Sequence, residues 1–102
     1  MIHVIAIITT KPGQRETVLA AFRANVPAVH AEKGCIEYAP AIDTPNMGKM
    51  QTQLGPDTFM VVEKWATSAD LAAHAASPHM AAYGAKVKDQ LVGRVIHILS
   101  PA

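Results

Sequence analysis

The strand-like segments of this chain are apolar on both faces, and that restricts its fold more than any other feature. In HVIAIITT, residues 3–10, Val4, Ala6 and Ile8 point one way while Ile5 and Ile7 point the other. Phe59 and Val61 oppose Met60 and Val62 in TFMVVEKWA, residues 58–66, and Val95 and Leu99 oppose Ile96 and Ile98 in RVIHILS, residues 94–100. A strand with one wetted face alternates apolar with polar. Both faces of a sheet built from these segments therefore need cover, and 102 residues hold only one core. Helices can cover one face. The other is expected to meet the same face of a second copy, in a homodimer.

The remaining segments supply the helices. Val18, Phe22, Val26 and Val29 recur at helical spacing between Lys11-Pro12-Gly13 and Lys33-Gly34, so an amphipathic helix is expected over residues 14–32, kinked or broken at Pro27. CIEYAPAID, residues 35–43, reads as a second strand, and residues 44–57 form a connection long for a compact domain. Thr67-Ser68-Ala69-Asp70 offers a hydroxyl cap, with an acid in the first turn, for an alanine-rich helix. Ser77-Pro78 then starts another, carried by Met80, Tyr83, Val87 and Leu91 and ended by Gly93. The order β-α-β-β-α-β, its second helix a pair, predicts an α+β, ferredoxin-like split βαβ fold. Its four-stranded antiparallel sheet carries helices on one face, in a single domain over residues 1–102.

Composition narrows the partners. Only 17% of residues are charged and the formal net charge is +1, without clusters, so neither nucleic acid nor an anionic membrane is an expected partner. The N-terminal segment lacks a signal-peptide pattern and no run of about eighteen apolar residues occurs, which predicts a cytoplasmic protein. Cys35 is alone and can form no internal disulfide.

KPG after the first strand, EKGCIEY at the second, FMVVEKW at the third and AHAASPH behind it resemble the antibiotic biosynthesis monooxygenase (ABM) domain, including quinol monooxygenases, over nearly the whole chain. The resemblance implies a dimeric α+β barrel with a cavity between each sheet and its helices. Some members there oxidise phenols, anthrones or quinols with O2, using no metal or flavin. The long 44–57 connection departs from the family pattern and leaves the pocket mouth and substrate preference open.

His74 and His79, in HAASPH, are the residues best placed for chemistry. On one unbroken helix they would stand roughly 140° apart, unlike the i,i+4 pairs that chelate metal. Pro78 puts them on separate helical pieces, so no metal site is expected. His74 falls on the sheet-facing side: either a catalytic base or a buried neutral histidine. His79, in a first turn with Tyr83 one turn on, either orients that tyrosine toward substrate or satisfies local backbone. Trp65 is a core anchor or a cavity wall, and Tyr38 and Tyr83 are core residues or donors to a substrate oxygen. Glu63, on the apolar face of its strand, calls for a buried partner such as Arg94 or a group of a second subunit. Met47 and Met50 are gap-fillers or a lid, Cys35 a small hydrophobe, and His3, His30 and His97 structural or exposed.

Together with these residues, the resemblance implies a cofactor-independent monooxygenase acting on a small aromatic or apolar substrate and O2. His74 would be the base, with Trp65, Tyr83, His79 and Tyr38 binding substrate. Isomerase or lyase chemistry on a small oxo compound, and a non-catalytic ligand-binding dimer, are the alternatives. Haem degradation fits less well, because residues 5–7 of the first strand carry no polar side chain.

Overall fold

The computed structural model describes residues 1–102. The chain runs β1 (Ile2–Thr10), α1 (Arg15–His30), β2 (Cys35–Ala41), β3 (Thr58–Trp65), α2 (Ser68–Ala75), α3 (Pro78–Val87) and β4 (Leu91–Leu99), with single 3-10 turns at Gly48–Met50 and Lys88–Gln90. The strands lie in the order β2-β3-β1-β4, every neighbour antiparallel. Each strand-helix-strand unit thus has a strand of the other inserted, which is the split βαβ arrangement.

Register sets what faces the helices. Tyr38 sits opposite Glu63, Glu63 opposite Val4, and Val4 opposite Ile98, so one row of side chains crosses all four strands. Val4, Ala6, Ile8, Tyr38, Phe59, Val61 and Trp65 are buried from the sheet, and Val18, Leu19, Phe22 and Val29 from α1. Phe22 is the hub of this core. Its ring stacks on Tyr38 at 5.0 Å between centroids and meets Phe59 and Tyr83 edge-on at 5.9 Å. Each such ring taken out of water stabilises the fold by about 1.5–3 kcal/mol.

The structure moves several expected boundaries. Helix α1 runs continuously through Pro27, because only the final turn follows it and Val29, fully buried, anchors that turn; the Ala31 N–H still donates to Pro27 O at 3.2 Å. Gly93 does not end a helix: α3 stops at Val87 and Gly93 lies within β4, opposite Thr9 where the register shifts. Gly34 occupies a left-handed conformation, φ +79°, and a β-carbon there would collide with the Asp70 side chain. Its carbonyl accepts from Ala66 N–H at 2.8 Å, tying the α1–β2 turn to the end of β3.

The long connection is fastened at both ends. Asp43 accepts from the Leu54 and Gly55 N–H groups at 2.8 and 2.9 Å, while Asp57 O takes the Thr10 N–H and Asp57 Oδ1 the Gly13 N–H. Those two backbone bonds hold the Asp43 carboxyl below its usual range.

The helices lie over β1, β2 and β3 and leave β4 bare. Ile96 and Ile98, on the helix side, are 47% and 61% exposed, and Val95 and Leu99, on the opposite side, 52% and 47%. Ile5, Ile7, Met60 and Val62 extend that opposite face and are only part-buried. No helix is long and apolar enough to cross a membrane.

Candidate active site

The uncovered stretch of β4 borders a cavity of about 620 Å³ between the sheet and the helix pair α2–α3. Of its 21 lining residues 16 are hydrophobic, which suits an apolar guest with few polar attachments. Val4, Ala6 and Ile8 form its floor, Leu71, Ala75 and Gly84 part of its roof. Arg94, Ile96 and Ile98 stand at the exposed, β4 side. Met47 and Met50 take no part in the lining, so the 44–57 connection is not a lid over this cavity.

Four ionisable side chains reach the lining from the buried side: Tyr38, Glu63, His74 and Tyr83. His74 comes from the last turn of α2, itself started by the Thr67 hydroxyl accepting the Asp70 N–H at 3.1 Å. Its ring is 5% exposed, 4.6 Å from the Trp65 indole and edge-on to Tyr38 at 5.3 Å. Nδ1 lies 2.8 Å from Glu32 Oε2. A carboxylate only accepts, so Nδ1 carries the proton of that bond. Nε2 has no protein partner. Yet Arg15 Nε is the only buried side-chain nitrogen or oxygen left unpaired. Nε2 therefore keeps some accessible surface, and His74 is one of the residues that line the cavity.

The same reasoning applies to Oε2 of Glu63 and to the Tyr83 hydroxyl, neither of which has a protein partner. Glu63 Oε1 accepts the Trp65 indole N–H at 2.9 Å. Burial pushes the Glu63 carboxyl above the usual range, against the pull of that indole bond. Burial also pushes Tyr83 up to about 12, and raises Tyr38, whose hydroxyl has only a weak contact with Met80 Sδ at 3.9 Å. Both phenols stay protonated near neutrality and can donate to a ligand oxygen.

His74, Tyr38 and Tyr83 meet in the cavity. Trp65 does not: it is fully buried behind the wall and its N–H belongs to Glu63, so it anchors the core. His79 is also outside the cavity. It borders a separate surface depression with Asn25, Tyr83 and Lys86, and its Nε2 lies 2.9 Å from the same Glu32 oxygen that His74 touches. Glu63 finds its partner in Trp65, not in Arg94. His30 bonds the Tyr38 carbonyl at 3.0 Å.

Sequence reasoning missed Glu32, which sits in the turn after α1, 42 residues before His74. The available signal was an acid beside Gly34, where a turn brings the chain back over the sheet. Glu32, His74 and His79 offer one ligand atom each within 4.8 Å of one another. A tetrahedral ion with bonds of about 2.0–2.1 Å needs donor separations of about 3.3–3.4 Å. The observed 2.8 and 2.9 Å are lengths of N–H···O bonds converging on one oxygen.

The model of the family described as "Antibiotic biosynthesis monooxygenase" matches residues 1–86. The chain is 42% identical over 103 residues to a protein of Escherichia coli (strain K12) named "Probable quinol monooxygenase YgiN", covering 99% of this chain and 98% of that one. Among solved structures, PA3566 from Pseudomonas aeruginosa superposes with a TM-score of 0.80 at 26% identity, covering 99% of this chain and 93% of that chain. Rv0793 from Mycobacterium tuberculosis shares the fold at TM-score 0.80 and 24% identity, covering 99% and 94%. With its cavity in the place the resemblance implied and matches along nearly its whole length, the chain belongs to the antibiotic biosynthesis monooxygenase family.

Proposed function

We propose that this chain is a cofactor-independent monooxygenase that oxidises a small phenolic or quinol-type molecule with O2, His74 acting as the base. The observation that carries this reading is the unpartnered Nε2 of His74, a residue lining a largely apolar cavity. A phenol with pKa near 10 is about one part in a thousand ionised at pH 7, so forming the phenolate costs roughly 4 kcal/mol. A neutral imidazole beside the hydroxyl takes that proton, and the Tyr38 and Tyr83 hydroxyls donate to the oxygen that becomes negative.

The phenolate is then electron-rich enough to pass one electron to O2, and the two radicals combine at a ring carbon. For a hydroquinone, loss of water from that adduct leaves a hydroxyquinone. One oxygen atom enters the ring and the other departs as water. The apolar walls suit both the aromatic ring and O2, and keep water from the radical pair.

The working form in this reading is a homodimer. Two copies joined by the face bearing Ile5, Ile7, Met60, Val62, Val95 and Leu99 bury the apolar surface that one copy leaves half exposed.

The experiment is oxygen uptake by the purified protein with a panel of hydroquinones, under 18O2. One labelled oxygen in the product, formed faster than in the protein-free control, is the expected result. No uptake above that control across phenols, anthrones and hydroquinones would refute the proposal.

A further inference from the structure

His79 has no part in the chemistry above, yet it shares an oxygen with the base. Glu32 Oε2 receives His74 Nδ1–H at 2.8 Å and His79 Nε2–H at 2.9 Å, and its side chain is only 14% exposed. Three separate elements converge on this atom: the turn after α1, the end of α2 and the first turn of α3. The sequence between the histidines enforces the meeting. Ser77 Oγ–H donates to the His74 carbonyl at 2.8 Å, closing α2, and the same hydroxyl accepts the Met80 N–H, opening α3. Pro78 then begins α3 with no N–H to satisfy.

We propose that Glu32 and His79 are positioning residues: Glu32 holds His74 in its Nδ1–H tautomer, leaving Nε2 as the basic nitrogen toward the cavity, and His79 pins the carboxylate from its other side. The reason is electrostatic. A neutral imidazole carries one N–H, and which nitrogen bears it depends on what the other meets. With the proton on Nε2, the Nδ1 lone pair would face a carboxylate oxygen at 2.8 Å, two acceptors in contact. A lone glutamate side chain, with three rotatable bonds, would hold that oxygen poorly. The second N–H, from a ring fixed at the start of a helix, removes that freedom.

The catalytic consequence rests on the base role proposed for His74, but the tautomer can be read without any substrate. Protein labelled with 15N-histidine, studied by long-range 1H–15N correlation near neutral pH, reports which nitrogen is protonated. His74 is expected as the Nδ1–H form in the wild type. In Glu32→Gln the amide can turn its NH2 to Nδ1, and at least half of the Nδ1–H signal is expected to convert to Nε2–H. A wild-type His74 protonated on Nε2, or an unchanged distribution in Glu32→Gln, overturns the proposal.

Turnover of 1,4-naphthohydroquinone gives the second readout. Glu32→Gln is expected to lower kcat about tenfold or more with KM little changed, and His79→Gln, which keeps an N–H donor, to retain several-fold more kcat than His79→Ala. Equal kcat in all of these variants and the wild type overturns the positioning role. If the wild type does not oxidise any hydroquinone, the functional proposal fails while the tautomer spectrum still decides this one.

Discussion

The Trp65 indole N–H donates to Glu63 Oε1 across 2.9 Å, two residues apart on one face of β3, in a pair almost sealed from solvent. Burial outweighs that bond, so the carboxyl holds its proton more firmly in the folded than in the unfolded chain. The stability tied to that proton is fully present below the ordinary glutamate value of 4.5 and is lost as pH rises through the raised folded pKa. Glu63→Gln keeps an acceptor for the indole and removes the buried charge. It is expected to stabilise the protein at pH 7 by about 1 kcal/mol, a Tm rise of roughly 4–8 °C, with the gain vanishing near pH 4. Thermal unfolding followed across this pH range is the check; a Tm difference independent of pH would contradict it.

Replacing His74 with Ala removes the proposed base and leaves Glu32 bonded to His79. Turnover on any hydroquinone the wild type accepts should fall at least about tenfold, while the circular dichroism spectrum stays that of the wild type. Tyr83→Phe, which deletes a donor but keeps the ring against Phe22, should lower turnover by a smaller factor, about three- to tenfold. Steady-state rates for the two variants side by side settle the order.

Gly34→Ala forces a β-carbon into a left-handed backbone and against Asp70. The backbone alone costs about 1–2 kcal/mol, so a Tm drop of roughly 4–16 °C is expected. Adding Asp70→Ala should return part of that loss, and a double-mutant cycle measures how much. Purely additive losses would show that the close approach carries no energy.

Asp43→Asn removes the charge that accepts two amides of the long connection. Hydrogen exchange at Leu54 and Gly55 should quicken about tenfold with little change elsewhere. Wild-type protein should show the same loosening on acidification, but only below the usual carboxylate range, because the folded carboxyl is held low.

Val95 and Leu99 stand half exposed on the face opposite the helices. Changing both to Lys should convert a two-copy species into a single-copy or aggregating one in sedimentation velocity, while the wild type sediments with twice the chain mass. A wild type that sediments as a single copy would remove the dimer from the proposal.

The fold was largely legible because its signals are local. The β-branched, two-sided apolar runs at residues 3–10, 58–66 and 94–100, the Val18-Phe22-Val26-Val29 stripe and the Ser77-Pro78 cap each depend on neighbours a few residues away. Where the expectation slipped, tertiary packing had overridden a local signal. The buried Val29 carries α1 past Pro27, and pairing with Thr9 draws Gly93 into β4.

The site divides along the same line. Its histidine and tyrosines announce themselves by type and by the faces they occupy, and the period of β3 put Glu63 among apolar neighbours before any partner was visible. No spacing rule links Glu32 to residues 42 and 47 positions later, because only the closing of α1 over the sheet brings that turn beside the α2–α3 break. Periodicity and capping act through the backbone nearby, so residue order alone settles which elements form and which faces are apolar. Which oxygen two imidazoles share, and which indole N–H is already taken, depend on distances that exist only after four strands and three helices have packed.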